Sequence, residues 1–183
     1  MASELKVQTI SGLPTGANAN KILIPSGQTL DITNSALAGL SSGELPSGSV
    51  VQVKSVYSNA SASMAGTQTF LNSGVYVDIT PKFATSTLVV HAQGHIWRNA
   101  AGHNWFRVIN QTTGQVSGVR GGRDQYSGYH EDVNIIWNQT AGNTNTQRFE
   151  IQFADRDNNA SVSLYFNDGG GYQSGMIVYE VLA

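Results

Sequence analysis

From Val50 onward apolar and polar residues alternate with a period of two, the pattern of strands that bury one face. Over 148–153, Phe149, Ile151 and Phe153 alternate with Arg148, Glu150 and Gln152, and over 161–167, Val162, Leu164 and Phe166 alternate with Ser163, Tyr165 and Asn167. Both read as half-buried strands. The same alternation predicts strands over 50–57, 75–79, 87–97, 104–110, 115–119, 129–137 and 176–181. Turn signals rich in Gly and Asn separate them, among them Gly121-Gly122 and Asn167-Asp168-Gly169-Gly170-Gly171. Short strands at this even spacing predict an all-β, antiparallel β-sandwich of jelly-roll type over residues 46–183.

Residues 1–45 follow another rule. Their apolar residues come in small knots, and a unit this short buries too little surface to offset its ordering entropy. An aliphatic-Pro-Ser/Thr-Gly pattern recurs as Leu13-Pro14-Thr15-Gly16, Ile24-Pro25-Ser26-Gly27 and Leu45-Pro46-Ser47-Gly48. Pro fixes φ and the Gly two positions later accepts a left-handed turn, so each copy closes an extended piece. The expectation is an extended N-terminal stalk that leans on something else.

Charge sharpens the picture. Charged residues are 12% of the chain, against about 25% in an average soluble protein. A net charge of -2 offers no basic face for a row of phosphates, so nucleic acid is not the expected partner. No apolar run approaches the roughly 20 residues of a membrane span, and no charged and apolar leader follows Met1, so folding is expected in the compartment of synthesis. Zero cysteines remove disulfides and thiolate chemistry. In 87–97, Leu88, Val90, Ala92, Gly94 and Ile96 share one face. The opposite face carries Val89, His91, Gln93, His95 and Trp97, an uncharged set suited to a subunit interface or to a solvated sheet face.

Candidate chemistry is thin. In a strand, His91 and His95 point the same way but lie about 13 Å apart, too far for one ion. Only copies gathered on a symmetry axis could bring such histidines together. Asp155-Arg156-Asp157-Asn158-Asn159 begins like a calcium loop but lacks the required Gly and Glu further on, and reads better as a hairpin turn between Phe153 and Val162. No catalytic triad, metal motif or phosphate loop is present, so neither a cofactor nor an enzymatic role is expected. The most suggestive segment is 119–130, where Arg120, Arg123, Tyr126, Tyr129 and His130 lie among flexible glycines. Planar donors and rings of this kind suit a polar ligand; the competing reading is a plain solvent loop.

Several stretches together resemble a family of short fibre or fibre-like virion proteins of tailed, often marine, phages. They are residues 4–10 (Glu-Leu-Lys-Val-Gln-Thr-Ile), 21–32 (Lys-Ile-Leu-Ile-Pro-Ser-Gly-Gln-Thr-Leu-Asp-Ile), Pro46 to Val53, Val77-Asp78-Ile79-Thr80-Pro81 with Leu88-Val89-Val90, and Ile177 to Val181. The resemblance implies a non-enzymatic homotrimer made in the host cytoplasm, docked by its N-terminal segment on capsid or tail proteins, with the β-sandwich exposed on the virion surface. Leu5, Val7, Ile22, Leu23, Ile24, Leu30 and Ile32 then become the expected interchain core. Two other expectations stay open: a capsid decoration without a receptor role, and a carbohydrate-binding module using Tyr126, Tyr129, His130 and Trp97 or Trp105 to contact a host surface polysaccharide.

Overall fold

The structure, a computed structural model, describes residues 45–124, 129–167 and 171–183, with Arg123, Asp124 and Tyr129 as backbone only. The expected stalk residues Leu5, Val7, Ile22, Leu23, Ile24, Leu30 and Ile32, and Tyr126 of the candidate segment, lie outside the described residues.

Ten strands form from the described residues, with no helix among them: β1 (Val50–Ser58), β2 (Ala62–Ala65), β3 (Leu71–Ile79), β4 (Thr87–Arg98), β5 (Gly102–Asn110), β6 (Arg123–Asp124), β7 (Tyr129–Thr140), β8 (Gln147–Asp155), β9 (Ser163–Phe166) and β10 (Ser174–Val181). All pairings are antiparallel. The large sheet is ordered β1-β10-β4-β9-β2, with β7 along the other edge of β4; the small sheet is β3-β8-β5-β6. Along one edge of β4, β10 covers residues 87–93 and β9 covers 96–98. Setting aside the short β2/β9 pair, the eight remaining strands run first-eighth-third-sixth in one sheet and second-seventh-fourth-fifth in the other. This is the double Greek key of a jelly roll. The all-β antiparallel sandwich expected from the sequence is therefore the fold observed.

The inward faces close one core. Val75, Val77 and Ile79 of β3, Phe106 and Val108 of β5, and Phe149, Ile151 and Phe153 of β8 meet Leu88, Val90, Ala92 and Ile96 of β4, Val133 and Ile135 of β7, Leu164 and Phe166 of β9, and Met176 and Val178 of β10. Gly94 continues the inward face of β4, and a Cβ there would fall 2.0 Å from the Phe106 ring. Only glycine lets Phe106 and Phe166 lie flat on that strand, their centroids 6.4 Å apart.

Three local expectations change. Residues 115–119 make no regular strand; they ride along β5 through the single bridge Ile109–Val116, followed by Phe106–Arg120. Phe153 and Val162 do not flank a hairpin, because the turn carries the chain from β8 in the small sheet to β9 in the large one. Strand β8 is buried on both faces, since it is central and polar neighbours cover it. Gln152 bonds Arg107 Nε (2.8 Å) and Asn72 (2.7 Å), and Gln111 bridges Asn72 (3.0 Å) to Glu150 (3.1 Å).

The sandwich has two distinct ends. At the near end the chain enters, with Gly48 N–H donating to Leu182 O and Leu182 N–H to Ser49 O, both at 2.9 Å. Thr87 pairs there with Val181 and Thr140. At the far end Arg98 pairs with Tyr129, Ser58 with Ser174 and Asn104 with Asp155. Twelve-residue β4 spans the distance, about 36 Å at ~3.3 Å per residue.

Candidate functional site

The far end gathers most of the described side chains singled out in the sequence. Register places Trp97 opposite His130 of β7 and, on its other edge, opposite Tyr165 of β9; His95 stands opposite Asp132. Strand alternation turns all of these onto the outer face of the large sheet. The Trp97 ring lies 4.7 Å from that of Tyr165 and 6.3 Å from that of His130. Tyr172 stacks on His95 at 3.7 Å and 7°.

A hydrogen-bonded chain runs beneath these rings. His95 Nδ1 is 2.8 Å from Asp132 Oδ1, and His95 Nε2 is 2.9 Å from His130 Nδ1. An ionised carboxylate only accepts, so His95 Nδ1–H donates to Asp132, and with neutral rings His95 Nε2 accepts from His130 Nδ1–H. The chain fixes both imidazoles in orientation. His95 is 4% exposed under Tyr172, so it is not an open interface residue as its position in the sequence suggests. His91 and Gln93 are exposed, and Trp97 is half-buried.

The 119–130 segment does not act as one loop. Arg120 exchanges backbone hydrogen bonds with Phe106 at 2.8 and 2.7 Å, and Asn104 N–H donates to Gly122 O at 3.1 Å, so this half belongs to the small sheet. Arg123 lies in β6 beside His103, whereas Tyr129 and His130 open β7 in the large sheet. Arg120 and His130 thus serve different surfaces. Val119, Gly121 and Gly122 line a depression of about 350 Å³ with His103, Asn104, Trp105 and Arg156.

Between these surfaces lies a buried ion cluster. Arg98 is 0% exposed, and its Nη2 is 3.2 Å from Asp155 Oδ1 while Nη1 is 3.1 Å from Asp157 Oδ2 and 3.2 Å from the His103 carbonyl. Burial works to raise the Asp157 carboxyl; the His103 backbone N–H and ring, with Arg98, outweigh it and hold the group below the ordinary carboxylate value. The calcium-like spacing is thereby explained, because Asp155 and Asp157 meet around a guanidinium. Among the described residues no group of three or more His, Asp or Glu is placed to hold a metal ion.

Sequence reasoning missed Arg98, Trp105 as a depression wall, Asp132, Arg156, Tyr165 and Tyr172. One signal was available for Arg98: it continues the inward alternation 88, 90, 92, 94, 96 by one step.

No family model matches the chain, and no curated protein matches it. Among solved structures, the chain is similar to infectious bursal disease virus VP2 in a subviral particle, at 11% identity and a TM-score of 0.39, over 72% of this chain and 37% of that one. T=1 particles derived from the same virus match at 11% identity and 0.39, over 74% and 37%, and a D431N mutant VP2 at 13% and 0.38, over 74% and 37%. The chain spans less than two-fifths of the length of these structures.

Proposed function

We propose that the chain is a non-enzymatic virion structural protein of a tailed phage. In this reading it is a homotrimeric fibre-like protein, docked on the particle through residues 1–45, with the jelly roll as its exposed knob. The observation that carries the assembly is the outer face of the large sheet. Over the rows from Val89 to Gln93 its outward positions are Val53, Ser55 and Tyr57 on β1, Ile177 and Tyr179 on β10, Val89, His91 and Gln93 on β4, and Asn134, Ile136 and Asn138 on β7. No Lys, Arg, Asp or Glu occurs among these positions, the exposed Asp132 of the same face lying further toward the far end against His95, while Ile136 is 74% and Tyr57 68% exposed. An uncharged, partly aromatic face suits a second copy of the same chain. Four strands by five residues cover only about 300 Å², less than half of the ~800 Å² per partner of a stable interface. Residues 1–45 would therefore supply the larger share of the contact.

Light scattering of the full-length protein is the test. The expected mass is three times the 19.5 kDa chain, unchanged on dilution, and a monomer would overturn the trimer. Ile136→Asp is expected to weaken assembly while moving folding stability by less than about 0.5 kcal/mol, because the side chain touches solvent. Sedimentation of the variant beside urea unfolding reads the two effects separately.

The two ends of the sandwich support the exposed-knob reading. Residue 48 enters at the near end, and the His95–His130 cluster with the Trp105 depression occupies the far end, so a knob held through its N-terminal side presents both outward. The sequence resemblance to phage fibre proteins points the same way. Deleting residues 1–45 is expected to abolish incorporation into particles, and particles that retain the truncated protein would refute the anchor.

A further inference from the structure

The far-end depression has the features of a built site. Its volume of about 350 Å³ lies within the roughly 300–1,000 Å³ of small-molecule sites. One wall is the half-buried indole of Trp105, steadied from behind by Phe70, whose ring is nearly parallel to it (6°) at 6.1 Å. Phe70 is in turn capped by the Arg107 guanidinium at 3.8 Å from its centroid. The facing wall is backbone: a Cβ on Gly121 would fall 2.1 Å from the Asn104 carbonyl oxygen and 3.2 Å from Trp105 Cδ1. A glycine there keeps the segment pressed onto β5 and leaves the ring accessible.

Polar groups complete the lining. His103 is held on Asp157 through its backbone N–H (2.8 Å) and through Nδ1 (2.9 Å), which fixes the ring. Arg156 is exposed, and its backbone is pinned on both sides: its N–H donates to His103 O at 3.1 Å and its carbonyl accepts from Gln68 Nε2 at 2.8 Å. Among the described residues no carboxylate pairs with its guanidinium. An indole face, an imidazole and an exposed guanidinium around one small hollow match a sugar ring that carries an acid group.

We propose that this depression is a subsite for an acidic saccharide, with Trp105 stacking on the sugar ring and Arg156 pairing with its carboxylate. The site lies on the small-sheet side of the far end, apart from the outer face used for assembly. It is independent of the trimer reading: a monomeric mass would leave saccharide binding intact, and absent binding would leave the trimer intact.

Titration calorimetry of the full-length protein with digalacturonate, sialyllactose and neutral lactose tests it. At least one acidic saccharide is expected to bind with a Kd on the order of 1 mM or tighter, and about fivefold or more better than lactose. Arg156→Gln is expected to erase that preference, and Trp105→Ala to weaken acidic-saccharide binding about tenfold or more. Circular dichroism checks that each variant is folded, and Arg156→Gln, at an exposed position, decides the matter should Trp105→Ala unfold. Three results would overturn the proposal: no acidic saccharide bound at about 10 mM, equal binding of lactose, or acidic binding unchanged by Arg156→Gln.

Discussion

Replacing Arg98 by Met is expected to lower the unfolding free energy by about 3–5 kcal/mol, the cost of leaving one partner of a buried ion pair uncompensated. Asp155 is 0% exposed, and with Arg98 gone it keeps, among the described residues, the backbone N–H groups of Asp157 (2.9 Å) and Asn159 (3.0 Å). Adding Asp155→Asn in the Arg98→Met background should recover part of the loss, because the stranded charge is then removed as well. Urea unfolding of the wild type and both variants measures the coupling. A single variant within about 0.5 kcal/mol of wild type would mean that the cluster contributes nothing net. By contrast the Arg148–Asp78 fork, 2.8 Å on both arms but 44% and 41% exposed, is expected to contribute little, because water screens both charges. Arg98 also carries a functional load. It ties the 98–103 turn to the 155–157 turn, and those two turns deliver His103 and Arg156 to the saccharide depression.

The second large effect is expected at Glu180 on β10. Its carboxylate is 0% exposed and accepts from Lys82 N–H and Phe83 N–H at 2.9 Å, from the Ser86 hydroxyl at 2.6 Å and from Gln52 Nε2. It thereby clamps the turn between β3 and β4 onto the end of the large sheet. Glu180→Ala strands two part-buried N–H donors and a buried hydroxyl, for an expected loss of about 2–4 kcal/mol. Glu180→Gln is milder, since one oxygen keeps its donors and Gln52 can turn its amide. Burial works to raise the Glu180 carboxyl, and the bonds from Ser86, Lys82, Gln52 and Phe83 outweigh it, so the folded group titrates below the ordinary 4.5. The sign follows: its stabilisation is complete above that ordinary value and is lost as pH falls through the lower, folded one. The wild type should lose stability on acidification below about pH 4.5 more steeply than Glu180→Gln. Equal slopes in urea unfolding across that range would refute the clamp.

The period-two pattern carried most of the fold, because one-sided burial leaves a mark on every second residue of a strand. Eight of the expected strands formed, while 115–119 made only bridges. Strands β2 and β6, of four and two residues, are too short to show a period at all. Burial of Glu150 and Gln152 was invisible for a different reason: polar side chains covered by other polar side chains look the same in sequence as solvated ones. The His95–Asp132 and Trp97–Tyr165 pairs depend on register between strands separated by more than thirty residues, which no local pattern encodes. Asp132 stands beside Glu131 in the chain, but its partner His95 lies across the ladder. The depression joins parts of β5 to a turn and an irregular segment, and so follows from topology alone.

Entry of the chain at one end and the His95–His130 cluster with the Trp105 depression at the other give the sandwich a mechanical character. Tension applied between Gly48 and a partner held at the far end runs parallel to the strands. The β1–β10 ladder, eight residue pairs from Val50–Val181 to Ser58–Ser174, is then loaded in shear, all its bonds resisting together. A pull across the strands would instead peel the same ladder one pair at a time. Forced unfolding is governed by the rate of crossing that barrier rather than by equilibrium stability. A sandwich held at these two ends resists force along its own axis best.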